Sequence, residues 1–208
     1  MEVQRSRDKI LAAAEGHYSV KDADPTMAEL AQLAGVGSAT LYRRYPTIDD
    51  VIRELNTLLS RELDSVAHVV LAQPTGWDAI VALVTGIIDT LQEHPALPRL
   101  NRKMVGRDDA HRLGGAREEQ LDQLVSLAQA EGTLRGDVNA NDITFAAFRL
   151  GSYSNLPPEE RDRVLGRQVA IVLDGLRADG RRSTLPGEAI SPDDLHNIFR
   201  YEVANPVD

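Results

Sequence analysis

The sequence predicts an all-α fold of about nine or ten helices. Apolar residues recur at intervals of three and four along most of the 208-residue chain, which is the period of one helix face. No segment alternates apolar and polar residues as a half-buried strand does. Glycine and proline interrupt the helical pattern at Gly35, Pro46, Pro74 and Pro95, where they are typical of helix ends.

Composition and charge exclude several classes of protein. The chain is 42% hydrophobic, has no cysteine, and has no apolar run long enough to cross a membrane. Its first residues lack the apolar core of a secretory signal, so we expect a cytoplasmic protein without membrane contact. The formal net charge of −9 argues against a non-specific nucleic-acid binder.

The first helix is expected from about Arg5 to Tyr18, with Ile10, Leu11 and Ala14 on its inner face. A polar loop then leads to the part of the chain that carries the strongest pattern.

The stretch between Thr26 and Ile48 predicts two short helices joined by a tight turn. Thr26 and Glu29 have the spacing of a capping box, which begins the first of these helices. Gly35 is placed to end it, because the residue just past a helix often needs positive φ.

The second of these helices has an outward polar face. It begins at Gly37 or Ser38 and turns Leu41 and Tyr45 inward. The opposite side carries hydroxyls, a phenol and two guanidiniums: Ser38, Thr40, Tyr42, Arg43 and Arg44. Such groups bond phosphates and base edges, so the pattern indicates a helix-turn-helix whose second helix enters the major groove of DNA.

The helix that follows begins at a second capped start. Pro46 ends the polar helix, and Thr47 is expected to cap the next one with Asp49 and Asp50 in its first turn.

This stretch resembles the DNA-binding domain of TetR-type transcriptional regulators. The resemblance rests on Ala34-Gly35-Val36, Thr40-Leu41-Tyr42 and Tyr45-Pro46, with Thr26-Met27 and Leu30-Ala31 ahead of them. It is close over residues 5 to 55, and the remainder matches in helical architecture and a few short stretches. The resemblance implies a DNA-binding domain at 1–48 and an effector-binding and dimerisation domain at 49–208.

The resemblance also assigns DNA contacts position by position. It implies contacts at Arg5, Arg7, Thr26, Gly37, Ser38, Ala39, Thr40, Tyr42, Arg43, Arg44 and Thr47. Ile48 stands where the family usually has Lys or Arg, so we expect Arg44 or the Arg5 and Arg7 arm to hold the phosphate there. Residues 1–55 contain seven Lys/Arg and nine Asp/Glu, which favours a small positive face on an acidic body.

The later elements follow the same apolar period. The helix after Thr47 should end before Pro74, and Asn139 or Asn141 should cap the helix that ends near 153. Loops are expected at 106–115 and 180–187. We expect the later helices near 77–91, 97–104, 121–128, 141–153 and 158–178, with a last short helix that begins at Ser191.

The apolar helical body is either a solid core or the wall of a cavity. The resemblance implies a cavity for a small-molecule effector. Its candidate lining residues are Trp77, Val81, Val84, Ile88, Leu100, Met104, Leu124 and Phe148. The resemblance also implies a homodimer through the helices at 141–153 and 158–178, with contacts at Phe148, Gly151, Val169 and Leu176.

The sequence offers no catalytic or cofactor motif. The five histidines lack metal-ligand spacing, and no phosphate-binding glycine loop or nucleophile elbow occurs. We therefore expect no enzymatic activity, cofactor or metal. The resemblance implies a transcriptional regulator, a repressor rather than an activator, that binds a palindromic operator. Two alternatives stay open: an all-α small-molecule-binding protein or enzyme without operator binding, and a protein-interaction module that uses the polar face of 38–44.

Overall fold

The structure, a computed structural model, describes residues 2–107, 118–151, 158–178, 190–194 and 197. Within these residues the chain forms helices and a single antiparallel bridge between Leu134 and Arg177. The all-α prediction is confirmed for this part of the chain. The helices numbered in the described residues are α1 (Glu2–Tyr18), α2 (Met27–Ala34), α3 (Ser38–Arg44), α4 (Ile48–Leu71), α5 (Gly76–Glu93), α6 (Leu97–Arg107), α7 (Glu118–Ala130), α8 (Ala140–Gly151) and α9 (Pro158–Leu176).

The first three helices and the first turn of α4 form a small head. Helix α1 packs against α2, α3 and α4, and α2 packs against α3. The buried side chains that meet between them are Ile10, Leu11, Ala14, Tyr18, Leu30, Ala31, Leu41 and Tyr45. The predicted inner face of α1 is therefore confirmed.

Helix α4 joins the head to the rest of the molecule. It has 24 residues, which corresponds to about 36 Å at 1.5 Å per residue. It packs against α1, α5 and α6. One hydrophobic cluster runs from α1 through α4 into the other helices, so the residues on the two sides of the boundary predicted at residue 48 share one core.

The body is built around α5. This helix packs against α4, α7, α8 and α9, and its residues Ile80, Val84, Ile87, Ile88 and Leu91 are buried. No helix that the structure describes is both long enough and apolar enough to span a bilayer.

The end of α9 is tied to the turn that follows α7. The backbone N–H of Arg135 donates to Leu176 O, and that of Ala178 donates to Thr133 O, both at 3.0 Å. The guanidinium of Arg177 lies 4.1 Å from the centre of the Trp77 ring at the start of α5. These contacts hold the last turn of α9 against α5 and α7.

Several predicted boundaries were wrong by a turn or less. Helix α1 begins at Glu2 and not near Arg5. Of the two caps predicted for α8, Asn139 is the one observed, since its Oδ1 accepts the Asp142 N–H at 3.0 Å. Helix α9 ends at Leu176 and not Ala178, where the antiparallel bridge begins.

Helix α6 shows the largest difference from the sequence prediction. It continues to Arg107, although the sequence predicted its end at Met104 and a loop from Gly106. Val105 is buried against Phe145 and Ile190, and Arg107 bonds to two carboxylates of the head, so tertiary contacts outweigh the helix penalty of Gly106.

The remaining loop predictions lie outside the described residues. These are the rest of the 106–115 loop, from 108 onward, and the whole of the 180–187 loop. The capped start at Ser191 is present, because its Oγ accepts the Asp194 N–H at 3.1 Å and residues 192–194 are helical.

Candidate DNA-binding surface and effector region

The turn between α2 and α3 has the geometry that the sequence predicted. Thr26 Oγ1 accepts the Glu29 N–H at 3.2 Å, and the Glu29 carboxylate accepts the Thr26 N–H at 2.8 Å. Gly35 ends α2 with φ 61° and ψ 40°, in the left-handed region that favours glycine. Val36 N–H then donates to Ala31 O at 3.0 Å, which turns the chain into α3.

Helix α3 presents its polar side to solvent. Leu41 is fully buried and Tyr45, just past its end, is 3% exposed, so one side anchors the helix in the head. On the other side Tyr42 is 53% exposed. The predicted contact residues Gly37, Ser38, Ala39 and Arg43 are exposed as well, and Thr40 and Arg44 are half-buried. The predicted polar face therefore exists as an outward surface.

The start of α4 has a second capping box. Thr47 Oγ1 accepts the Asp50 N–H at 3.3 Å, and the Asp50 carboxylate accepts the Thr47 N–H at 3.0 Å. The hydrogen bond from the Thr47 hydroxyl is the main cause that lowers the pKa of Asp50. Thr26 and Thr47 thus each give their N–H to their own helix's carboxylate. Phosphate binding at these two helix starts stays a prediction. It would use the N–H groups of the residues that follow, which belong to the first turn of each helix.

The two arginines predicted as a DNA-contacting arm differ in their surroundings. Arg5 is exposed. Arg7 donates from Nε to Glu54 Oε1 at 2.5 Å, which ties α1 to α4, and this hydrogen bond raises the pKa of Arg7. Burial, followed by Glu54, raises the pKa of the neighbouring Tyr45 phenol. Arg7 is therefore part of a brace inside the head, and its role at DNA stays a prediction.

A set of ion pairs that the sequence analysis missed connects α6 to the head. Four cations lie along one side of α6, which we call the α6 basic face: Arg99, Arg102, Lys103 and Arg107. Three carboxylates of the head oppose them, which we call the acidic patch: Asp22, Asp24 and Asp49. The spacing of the four cations at helical intervals was visible in the sequence, but nothing local indicated what they face.

Asp24 is at the centre of these contacts. Lys103 Nζ lies 2.9 Å from Asp24 Oδ1, and Arg107 Nη2 lies 2.5 Å from its Oδ2. The Tyr18 hydroxyl donates to the same carboxylate at 3.1 Å. Partial burial acts to raise the pKa of Asp24, but Lys103, Arg107 and Tyr18 together hold it below its ordinary value.

The other pairs extend the contact in both directions along α6. Arg107 Nε donates to Asp49 Oδ1 at 2.7 Å, and Arg102 Nη2 donates to Asp22 Oδ1 at 3.1 Å. Arg99 lies 3.4 Å from Asp22 and donates to Ser19 O at 3.1 Å. Several of these side chains are partly buried, which makes the pairs stronger than exposed ones.

The predicted effector-region residues belong to the body core. Val84, Ile88, Leu100, Met104 and Leu124 are buried, and Trp77, Val81 and Phe148 are half-buried. All except Val81 pack in one cluster. Whether they surround a ligand stays a prediction. The concavity found on α7 is open and polar, and it contains none of these residues.

Buried polar groups in this core were not singled out from the sequence. Asn56 of α4 and Asn101 of α6 are each 3% exposed, and Thr90 of α5 is also buried. The Thr90 hydroxyl donates to Gly86 O at 2.8 Å. In the part of the chain that the structure describes, Asn56 Oδ1 has no hydrogen-bond partner. A buried acceptor of this kind is costly unless something bonds to it.

Two of the described histidines have structural contacts. His94 Nδ1 lies 2.7 Å from Glu15 Oε1, between body and head, and His17 Nε2 lies 2.8 Å from Ala23 O. Over the described ranges, no group of three or more metal-ligating side chains comes together.

An exposed polar helix, held by a capped helix and a left-handed glycine turn, defines a helix-turn-helix DNA-binding protein. No family model matches the sequence, and no curated protein matches it. Among solved structures, the chain is similar to the TetR transcriptional regulator SCO0520 from Streptomyces coelicolor. The identity is 30%, the match covers 82% of this chain and 98% of that one, and the TM-score is 0.53. The chain belongs to the TetR family of transcriptional regulators.

Two further solved structures share the fold at lower identity. The ketosteroid transcriptional regulator KstR2 of Mycobacterium tuberculosis is 16% identical, with 82% of this chain and 94% of that one covered and a TM-score of 0.68. CprB from Streptomyces coelicolor, in complex with its operator, is 18% identical, with coverages of 85% and 90% and a TM-score of 0.64.

Proposed function

We propose that this regulator binds a palindromic operator as a homodimer and leaves it when a small-molecule effector binds the body. The observation that carries the proposal is the outward polar face of α3, on a head whose inner side is fully packed. Residues 1–48 act as the DNA-binding domain, and residues 49–208 provide effector binding and dimerisation.

The contacts to DNA follow from the exposure of each group. Arg43 and Tyr42 are the longest exposed side chains of α3, so they are suited to base edges in the major groove. The remaining proposed contacts position the helix on phosphates: Arg5, Arg7, Thr26, Gly37, Ser38, Ala39, Thr40, Arg44 and Thr47. Support for a DNA partner also comes from CprB, whose structure was solved with its operator.

Dimerisation is proposed through α8 and α9. Much of α9 stays exposed in a single chain, including Ile171 at 54%. Gly151 and Leu176 are buried inside the single chain, so of the predicted contacts only Phe148 and Val169, both half-buried, are left to continue that surface. A second copy would cover it and hold the two α3 helices at successive major grooves, about 34–36 Å apart or somewhat more.

The effector is proposed to be a mainly apolar molecule that carries a hydrogen-bond donor. The predicted region of Trp77, Val81, Val84, Ile88, Leu100, Met104, Leu124 and Phe148 is apolar. The unpaired Asn56 acceptor lies on α4, the helix that joins this region to the head. The similarity to a ketosteroid regulator is compatible with such a ligand. A ligand that binds one arrangement of the heads better than the other shifts the population toward it.

Regulation by binding, and not catalysis, is the activity we propose, because the similar solved proteins are transcriptional regulators. Repression is the simpler mode, since a dimer on an operator blocks access to the DNA beneath it.

The test is selection of duplexes from a random-sequence library by the purified full-length protein, read by sequencing. We expect enrichment of an inverted repeat, and no enrichment with the Tyr42→Ala/Arg43→Ala variant. Lack of enrichment by the wild type would favour a small-molecule-binding protein without an operator. Sedimentation of the free protein should give a dimer, and a monomer would contradict the α8 and α9 interface.

A further inference from the structure

The charge of the head is unfavourable for a surface that meets DNA. Residues 1–55 contain seven Lys/Arg and nine Asp/Glu, so the head with the start of α4 is net negative. Helix α6, Leu97–Arg107, has four cations and no acidic residue. Because DNA is a dense polyanion, a net-negative head weakens its own approach to the phosphates. The cations that compensate it come from the body.

The acidic patch lies beside the two helix starts that we place at the DNA backbone. Asp24 precedes Thr26 by two residues, and Asp49 follows Thr47 by two residues. Two residues span at most about 7 Å. Screening acts over about 10 Å at 0.1 M salt, so unpaired carboxylates at these positions act on phosphates held at the helix starts.

The α6 basic face removes that repulsion in the observed arrangement. Arg107 contacts both Asp24 and Asp49, Lys103 contacts Asp24, and Arg102 and Arg99 contact Asp22. Four cations thus oppose three carboxylates, and the patch has no net negative charge while α6 is docked.

The position of α6 is set by the body on its other side. Val105 is buried against Phe145 of α8 and Ile190. The Ile190 backbone is itself bonded to the start of α8, since its carbonyl accepts from Asn139 Nδ2 at 2.8 Å and its N–H donates to Asp142 Oδ1 at 3.2 Å. A change in the packing of the body therefore moves the cations relative to the head.

We propose that the α6 basic face is a further determinant of DNA affinity, because it masks the acidic patch of the head. Displacement of α6 uncovers three carboxylates near the duplex and weakens binding through charge, in addition to any change in the position of the heads. This inference rests on the proposed function, since it concerns the same DNA-binding head.

Variants that remove a charge distinguish masking of the acidic patch from a purely mechanical latch, in which the ion pairs only hold α6 against the head. The measured quantity is the change in DNA affinity. With masking, Arg107→Gln weakens binding, whereas Asp24→Asn and Asp49→Asn maintain or strengthen it. With a mechanical latch, loss of either partner breaks the same contact, so all three variants weaken binding alike. The two ideas therefore predict different results for the aspartate variants: weaker binding for a latch, and equal or tighter binding for masking.

The experiment uses the full-length protein and a 30-base-pair duplex that carries the inverted repeat enriched in the selection, with binding followed by fluorescence anisotropy at 50 and 300 mM salt. We expect Arg107→Gln to weaken binding roughly two-fold to ten-fold at the lower salt and less at the higher. The double variant Arg107→Gln/Asp49→Asn keeps the charge sum of the contact and should bind as the wild type does. Arg61→Gln is the matched control, because Arg61 is exposed on α4 about 20 Å along the helix from Ile48.

Three outcomes would overturn the inference. These are weaker binding by Asp24→Asn and Asp49→Asn, an Arg107→Gln effect no larger than that of Arg61→Gln, and an Arg107→Gln effect that persists unchanged at 300 mM salt. Thermal unfolding of each variant verifies that the fold is retained. A wild type that binds no duplex at all would instead refute the proposed function, so the two failures are distinguishable.

Discussion

The carboxylate of Glu131 accepts the backbone N–H of Gly76 with both oxygens, at 3.1 and 2.9 Å. This contact places a negative charge at the start of α5, where the helix dipole favours it, and it ties that start to the end of α7. Helices α5 and α7 approach so closely there that a Cβ on Gly76 would lie 2.6 Å from the Ala128 backbone. Two helices of the proposed effector region are therefore held at fixed distance.

Substitution of Gly76 tests this close approach. Because the neighbouring atoms are backbone, Gly76→Ala forces α5 and α7 apart, and we expect the free energy of unfolding to fall by about 1–3 kcal/mol. Gly16→Ala is the matched control, since nothing lies within 4 Å of a Cβ at that helical position. It should raise stability by up to about 1 kcal/mol, because alanine is the better helix former. Urea denaturation measures both, and equal effects would contradict the packing argument.

Tyr42 and Arg43 test base recognition by α3. Both side chains are exposed, so Tyr42→Ala and Arg43→Ala should retain the fold and the dimer. Each should weaken binding to the selected operator by about 1–3 kcal/mol, the usual range for a base-reading contact. Gel-shift titration measures the change, with Arg61→Ala as the control. Unchanged affinity for both α3 variants would exclude this helix from the DNA contact.

The stacking of Arg177 on Trp77 provides an intrinsic signal, because Trp77 is the chain's single tryptophan. Removal of the guanidinium in Arg177→Ala should expose the indole, shift its fluorescence emission to longer wavelength and cost about 0.5–1 kcal/mol. Arg161→Ala, elsewhere on α9, should leave the emission unchanged. An identical spectrum for Arg177→Ala and wild type would show that the ring is not covered in solution.

Acid titration tests the contacts of Asp24. Its pKa is lower in the folded protein than in the unfolded chain, so its contribution to stability is fully present above the unfolded value of about 3.9. That contribution is lost as pH falls through the lower folded value. Asp24→Asn should thus be less stable than wild type at pH 7, with the difference shrinking below about pH 4. Urea unfolding at pH 7, 5 and 3.5 measures the difference in stability between the two proteins. A difference that grows toward low pH would contradict a lowered pKa of Asp24. Asp89→Asn, an exposed position on α5, is the control.

The DNA-binding head was predictable from the sequence because its determinants are local. The capping boxes of Thr26 with Glu29 and of Thr47 with Asp50 involve residues three apart, and Gly35 needs its left-handed φ whatever surrounds it. The inward Leu41 and outward Tyr42 follow from helical period alone. Hydrogen bonds between residues three apart, and the periodic pattern of buried residues, can be recognised without knowing what the rest of the chain contacts.

The tertiary structure alone decided which distant groups meet. Arg7 pairs with Glu54, Lys103 with Asp24, and Glu131 with Gly76, each across 47 or more residues of chain. Helix α6 extends to Arg107 only because the head and the 190 segment contact its last turn. The sequence by itself determined the helices and the recognition surface, since local hydrogen bonds and apolar period specify them. Only packing decided the charge partners and the tie between body and head, because electrostatic and van der Waals contacts depend on distance in space and not on separation along the chain.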